Sequence, residues 1–132
     1  MGLADYKDLP RVAFGDLPEM NDALMAAARR GDKTGTCWAV ASGTLGAFVG
    51  LRLVVHDSKG REGAVVEIVE LTERRFDDID DEWGRIESDG DRSGWRAVHE
   101  AYFRRLGQWE PNMAIWCARF RLVEVLDAGA AQ

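Results

Sequence analysis

From Leu17 to Gly31 the apolar residues Leu17, Met20, Leu24 and Ala27 or Ala28 recur every three or four positions, which predicts an amphipathic helix with one buried face. Asp16, followed three residues on by Glu19, has the capping-box pattern, and Pro18 suits a first turn. Arg29 and Arg30 suit a last turn, and Gly31 a left-handed stop. Beyond Gly31 the period changes to two. Residues 34–40, rich in β-branched and aromatic types, predict a strand, and the small residues of 41–47 a loop. Residues 49–56 and 64–72 predict a hairpin turned at Asp57-Ser58-Lys59-Gly60, with Gly60 at positive φ. Phe76, Ile79, Trp83 and Ile86 predict a short helix within the acidic stretch 76–88. Trp95, Val98, Tyr102 and Leu106 predict another from Ser93 to Gly107, with Glu100 and Arg104 as a surface pair. Trp116, Ala118, Phe120 and Leu122 alternate with Cys117, Arg119 and Arg121, the mark of a half-buried last strand.

The resulting order, with helices between strands and one antiparallel hairpin, predicts a small α+β domain around a curled or closed sheet. The 132 residues fit one domain, with its core at about 12–126 and the ends flexible, Ala128 to Gln132 above all. Composition, 46% hydrophobic and 30% charged, is that of a globular chain rather than a disordered one. Net charge is 17 − 23 = −6, which argues against strong double-stranded DNA binding through phosphate contacts. No signal peptide and no apolar run long enough to span a membrane is visible, so the expected compartment is the cytoplasm. Cys37 and Cys117 make no metal-spaced pair, and His56 and His99 are the only histidines; no metal and no cofactor are expected.

The segment Gly31-Asp32-Lys33-Thr34-Gly35-Thr36, where the first helix gives way to the first strand, is the most informative. It lacks the Gly-x-x-x-x-Gly-Lys order of a phosphate loop. Lys33 and Thr36 are three apart, so on a strand they tend to opposite faces unless the glycines bend the chain. The plain reading is a helix stop followed by an exposed strand. Trp38 reads as core or as a base-stacking platform, and Arg119 with Arg121 as a solvated face or a phosphate contact. His99 reads as a structural histidine bonded to backbone. The acids at 77, 78, 80, 81 and 82 read as a solvated helix start rather than a cation site.

Taken together these segments are identified as a member of the ASCH (activating signal cointegrator homology) family, a small β-barrel group related to the PUA fold. The resemblance spans about Val12 to Leu126. It rests on Phe14-Gly15-Asp16, Gly31-x-Lys33-Thr34-x-Thr36, Phe76-Asp77-Asp78-Ile79-Asp80, Glu87 to Ser93, Trp95-Arg96-x-x-His99 and Cys117-x-Arg119-Phe120, in that order. It implies a small PUA-like barrel with flanking helices. Some bacterial members resemble amidohydrolases that deacetylate N(4)-acetylcytidine; others are described as metal-dependent ribonucleases or RNA-binding modules. The amidohydrolase pattern implies Lys33, Thr36 and Glu87 as the catalytic set, with Glu82 as the glutamate if the register slips by a turn. Thr34, Trp38 and Arg119 are the candidate substrate contacts, and the partner is a small nucleoside or single-stranded RNA. Where relatives usually carry Gly-Asp at the start of the second strand, this chain has Gly50-Leu51.

Overall fold

The computed structural model describes residues 6–126. In chain order the elements are β1 (Arg11–Val12), α1 (Pro18–Arg30), β2 (Gly35–Ala39), β3 (Arg52–His56), β4 (Glu62–Arg75), α2 (Asp81–Ile86), α3 (Arg92–Arg105) and β5 (Ala114–Val125). The strands form one sheet in the order β1-β3-β4-β5-β2, antiparallel except for β1 against β3. The α+β expectation holds, with α1, α3 and β2 to β5 close to their predicted positions, whereas β1 is an additional strand. The barrel does not. The sheet stays open between β1 and β2, because β1 is two residues long and cannot supply a closing ladder.

Two apolar clusters flank the sheet. In one, Phe14, Ala28, Val55, Ala64, Val66 and Phe120 fill the space between α1 and the central strands. In the other, Phe76, Ile79, Trp83, Trp95 and Phe103 bring α2 and α3 onto Cys37, Ile115 and Cys117. Burying aromatic side chains of this size stabilises by about 1.5–3 kcal/mol each.

Two local expectations are corrected. Asp16 does not cap α1: Leu17 is the N-cap, and the Asp16 carboxylate accepts a two-pronged hydrogen bond from Arg105 at 2.8 and 2.9 Å. That guanidinium, from the last turn of α3, offers a charge-assisted pair where a helix end would offer one neutral N–H. The stretch 76–88 is not a single helix. A 3₁₀ turn at Phe76–Asp78 precedes α2, which starts where Asp80 Oδ1 accepts from Trp83 N at 2.9 Å. Two of the acids around it make similar contacts, Asp81 accepting from Arg92 N and Asp77 pairing with Arg96, while Asp78 and Glu82 stay exposed.

The join from α1 to β2 sets up everything that follows. Gly31 adopts φ 82°, and Asp32 and Lys33 return their N–H groups to Ala27 O, so the chain reverses within two residues. Thr34 N then donates to Ile86 O at 2.8 Å, and Phe120 N to Thr34 O at 2.9 Å. The start of β2 is thereby fastened to the last residue of α2. Gly35 permits that approach, since a Cβ there would sit 2.5 Å from Ile86 Cγ2 and 3.1 Å from Ala118 O. Substituting Gly35→Ala is expected to lower unfolding free energy by about 1–3 kcal/mol in urea titrations, the usual cost of overpacking. A change within about 0.5 kcal/mol, the range of a surface substitution, would show that β2 and α2 are not in tight register.

Candidate functional site

Because Thr34 is bonded to Ile86, the residues on either side of that contact, Lys33 and Glu87, become neighbours although 54 positions separate them. Both are only 2% exposed. Lys33 Nζ lies 3.5 Å from Glu87 Oε1 and 3.4 Å from Glu87 O, and 5.0 Å over the Phe14 ring.

Glu87 is the C-cap of α2, and its carboxylate is surrounded by donors. Oε2 accepts from the indole N–H of Trp83 at 2.6 Å and of Trp95 at 2.8 Å. Oε1 faces His99 Nε2 at 3.3 Å as well as Lys33. Burial works against the charge, yet the charges of His99 and Lys33 and the hydrogen bonds from His99 and Trp95 outweigh it. They hold the carboxyl well below the usual carboxylate range.

His99 is therefore more than a histidine bonded to backbone. Its ring stacks on Trp95 with centroids 4.3 Å apart, Nδ1 lies 3.0 Å from Trp95 O, and Nε2 faces Glu87. With an acceptor opposite each nitrogen, the doubly protonated ring is the form that satisfies both. Burial alone would lower its pKa; Glu87 first, then Asp89, raise it on balance. Asp89 sits 3.6 Å from Nδ1, and burial together with Glu87 pushes it up to about 6 against the pull of His99.

These groups form part of the wall of a cavity of about 600 Å³. Phe14, Leu53, Val66 and Phe120 give it an apolar side, and Thr36, Trp38 and Tyr102 line it as well. The cavity reaches both open edges of the sheet, from β1 to β2. Leu51 contributes another apolar surface.

Of the residues singled out by sequence, Lys33, Thr36, Glu87 and Trp38 converge on this cavity. The half-buried Trp38 is oriented by an indole hydrogen bond to Gly43 O at 2.9 Å. Thr34 and Arg119 do not converge. The Thr34 backbone is spent on the α2–β2 fastening. Arg119 alternates away from Ala118 and Phe120, lies in a separate small cleft and faces Glu70 at 3.7 Å. Glu82, the alternative glutamate, is exposed and borders that second cleft. His99, Asp89 and the indoles of Trp83 and Trp95 were missed as site members; the stretch Glu87 to Ser93 and the motif Trp95-Arg96-x-x-His99 entered only as carriers of the family resemblance, and no sequence signal marked Trp83 as more than core.

Ligand atoms of Cys37, Glu87 and His99 lie within 4.8 Å of one another. Both Glu87 oxygens already have donors, Lys33 shares Oε1, and burial pushes the Cys37 thiol up. In this geometry the carboxylate and the imidazole of the trio are committed to the hydrogen-bonded network around Glu87.

His99 is raised above 6.5, so its stabilisation is complete below pH 6.5 and is lost as pH rises through the folded value. Glu87 is lowered below 4.5, so its stabilisation is complete above pH 4.5 and is lost as pH falls. Glu87→Gln is expected to cost about 3–5 kcal/mol, because two buried partners lose their counter-charge. In the same variant the His99 ring, followed by NMR, should titrate at lower pH than in the wild type. A loss under about 1 kcal/mol, as for a surface pair, with unchanged His99 titration would refute this reading of the network.

Comparison with known proteins agrees with the architecture. A crystal structure of an Enterococcus faecalis protein superposes with a TM-score of 0.83 at 19% identity, over 93% of this chain and 81% of the other. The crystal structure of an ASCH domain from Lactobacillus crispatus gives 0.77 at 19% identity, over 91% and 82%. At that identity the likeness speaks for the fold. No curated protein matches the chain. The ASCH domain model matches residues 10–124, from the strand before α1 to the end of the last strand. On that match across nearly its whole length, the chain belongs to the ASCH domain family.

Proposed function

We propose that this protein hydrolyses an N-acylated pyrimidine nucleoside, with an N(4)-acetylcytidine-type amide as substrate. The observation that carries the reading is the meeting of Lys33 and Glu87 at 3.5 Å in the wall of a cavity that Thr36 also lines. Amide cleavage needs a nucleophile, a donor for the oxygen that becomes negative, and a dry site that strengthens both. Thr36 supplies a hydroxyl. Lys33, anchored by Glu87, supplies an N–H donor toward the cavity. The parallel rings of Phe14 and Phe120, with centroids 5.5 Å apart, give the apolar side against which a pyrimidine can rest. Glu87, held ionised by its four donors, acts as the anchor of Lys33 rather than as an acid.

Binding or cleavage of single-stranded RNA has less support. It would draw on Arg119 and Arg121, which pair with Glu70 and Glu67 outside the cavity, leaving little free positive charge for a phosphate backbone.

The test is incubation of the purified protein with N(4)-acetylcytidine and longer acyl-cytidines, following cytidine by chromatography. Turnover is expected, unchanged by EDTA. Thr36→Ala and Lys33→Met are each expected to lose at least about 100-fold in kcat/KM. No turnover of any acyl-cytidine, or EDTA-sensitive RNA cleavage in its place, would contradict the reading.

A further inference from the structure

Hydrolysis at this cavity needs a group that takes the proton from the attacking hydroxyl. Lys33 is engaged as a donor to two Glu87 oxygens, at 3.4 and 3.5 Å. Glu87 has a donor on every side, and His99 has both ring nitrogens committed. Cys37 and Tyr102 also line the cavity, but burial raises both and keeps them protonated. Glu19 and Arg11 stand exposed at its rim, Arg11 paired with Glu62.

Asp89 differs from all of these. Positive φ at Ser88 and Gly90, 68° and 82°, turns the short α2–α3 connection, and Asp89 lies between them on the cavity wall. Its side chain is 12% exposed. It is paired with His99 Nδ1 at 3.6 Å, an ion-pair distance but too long for a hydrogen bond, and Glu87 and Lys33 stand near enough to act on its charge. The proton on Nδ1 is directed at Trp95 O, 3.0 Å away. Among the described residues neither Asp89 oxygen accepts a hydrogen bond, so the carboxylate faces the cavity with hydrogen-bonding capacity to spare, beside a ring that steadies negative charge.

We propose that Asp89 is the proton acceptor of this cavity, taking the Thr36 hydroxyl proton as that oxygen attacks the acyl carbonyl and returning it to the leaving nitrogen. The proposal rests on the hydrolase reading. In the first step the Thr36 Oγ–carbon bond forms, the carbonyl electrons move onto oxygen beside Lys33, and Asp89 gains the proton. The carbonyl then re-forms, the carbon–nitrogen bond breaks, and the amine leaves with the proton from Asp89. Water next attacks the Thr36 ester and gives a proton to Asp89. As the ester breaks, that proton returns to Thr36 Oγ and the carboxylic acid departs. Among the facing groups, burial and Glu87 push the Asp89 carboxyl up to about 6 while His99 and then Lys33 pull it down. At neutral pH it is then ionised, yet able to hold a proton briefly.

The experiment is the pH profile of acyl-cytidine hydrolysis for the wild type, Asp89→Asn and Asp89→Glu. Wild-type kcat/KM should rise with pH to a plateau above an inflection near 6. In Asp89→Asn, kcat should fall by about 100-fold or more with KM changed by less than about two-fold, and the inflection should vanish. Asp89→Glu should restore part of the rate and the inflection. A wild-type profile and rate retained in Asp89→Asn overturn the role of Asp89 while leaving the hydrolase reading intact. Absence of turnover in the wild type overturns both. If Asp89→Asn does not fold, ¹³C titration of the wild-type Asp89 carboxyl decides: an inflection near 6 matching the rate profile supports the proposal, and one below 4.5 overturns it.

Discussion

The carboxylate of Glu87 is the point on which this structure turns. Removing an ion from water costs on the order of several kcal/mol, and a protein keeps such a charge only where donors replace the lost hydration. Here Trp83 comes from α2, Trp95 and His99 from α3, and Lys33 from the turn before β2. One buried anion therefore holds three parts of the chain in register. The indoles of Trp83 and Trp95, which fill the core between the helices, also aim their N–H groups at it.

That arrangement ties stability to chemistry. The same contacts that satisfy Glu87 present Lys33 to the cavity and steady His99 beside Asp89. The open sheet contributes as well. A ladder between β1 and β2 would close the space that the cavity occupies, so the missing closure leaves room for a ligand between the two edges.

Much of the fold was legible in the chain because it is written in periodicity. The apolar spacing of Leu17 to Ala28, the alternation around Phe120 and the stop at Gly31 each correspond to an element that formed. Asp16 misled because a capping pattern is local, whereas Arg105, its true partner, lies 89 residues away. Barrel closure was illegible for a related reason: it depends on how far β1 extends, and nothing periodic marks a two-residue strand. The site was half legible. Lys33 and Glu87 came from family resemblance, and a single backbone bond from Thr34 to Ile86 brings them together. Asp89 stayed hidden because a turn has no period and an acidic stretch resembles a solvated helix face, and His99 because its partner Glu87 sits at the end of a different helix.

The most direct test of the account is the ionisation of Glu87 itself. Selective ¹³C labelling of glutamate, with the side-chain carboxyl shift of Glu87 followed from pH 8 downward, reads it without any substitution. The shift should stay at the ionised value throughout the folded range and pass below the ordinary 4.5 without inflection. An inflection at or above 4.5 would show a carboxyl that accepts a proton, and would remove the fixed anion on which the arrangement of Lys33 and His99 depends.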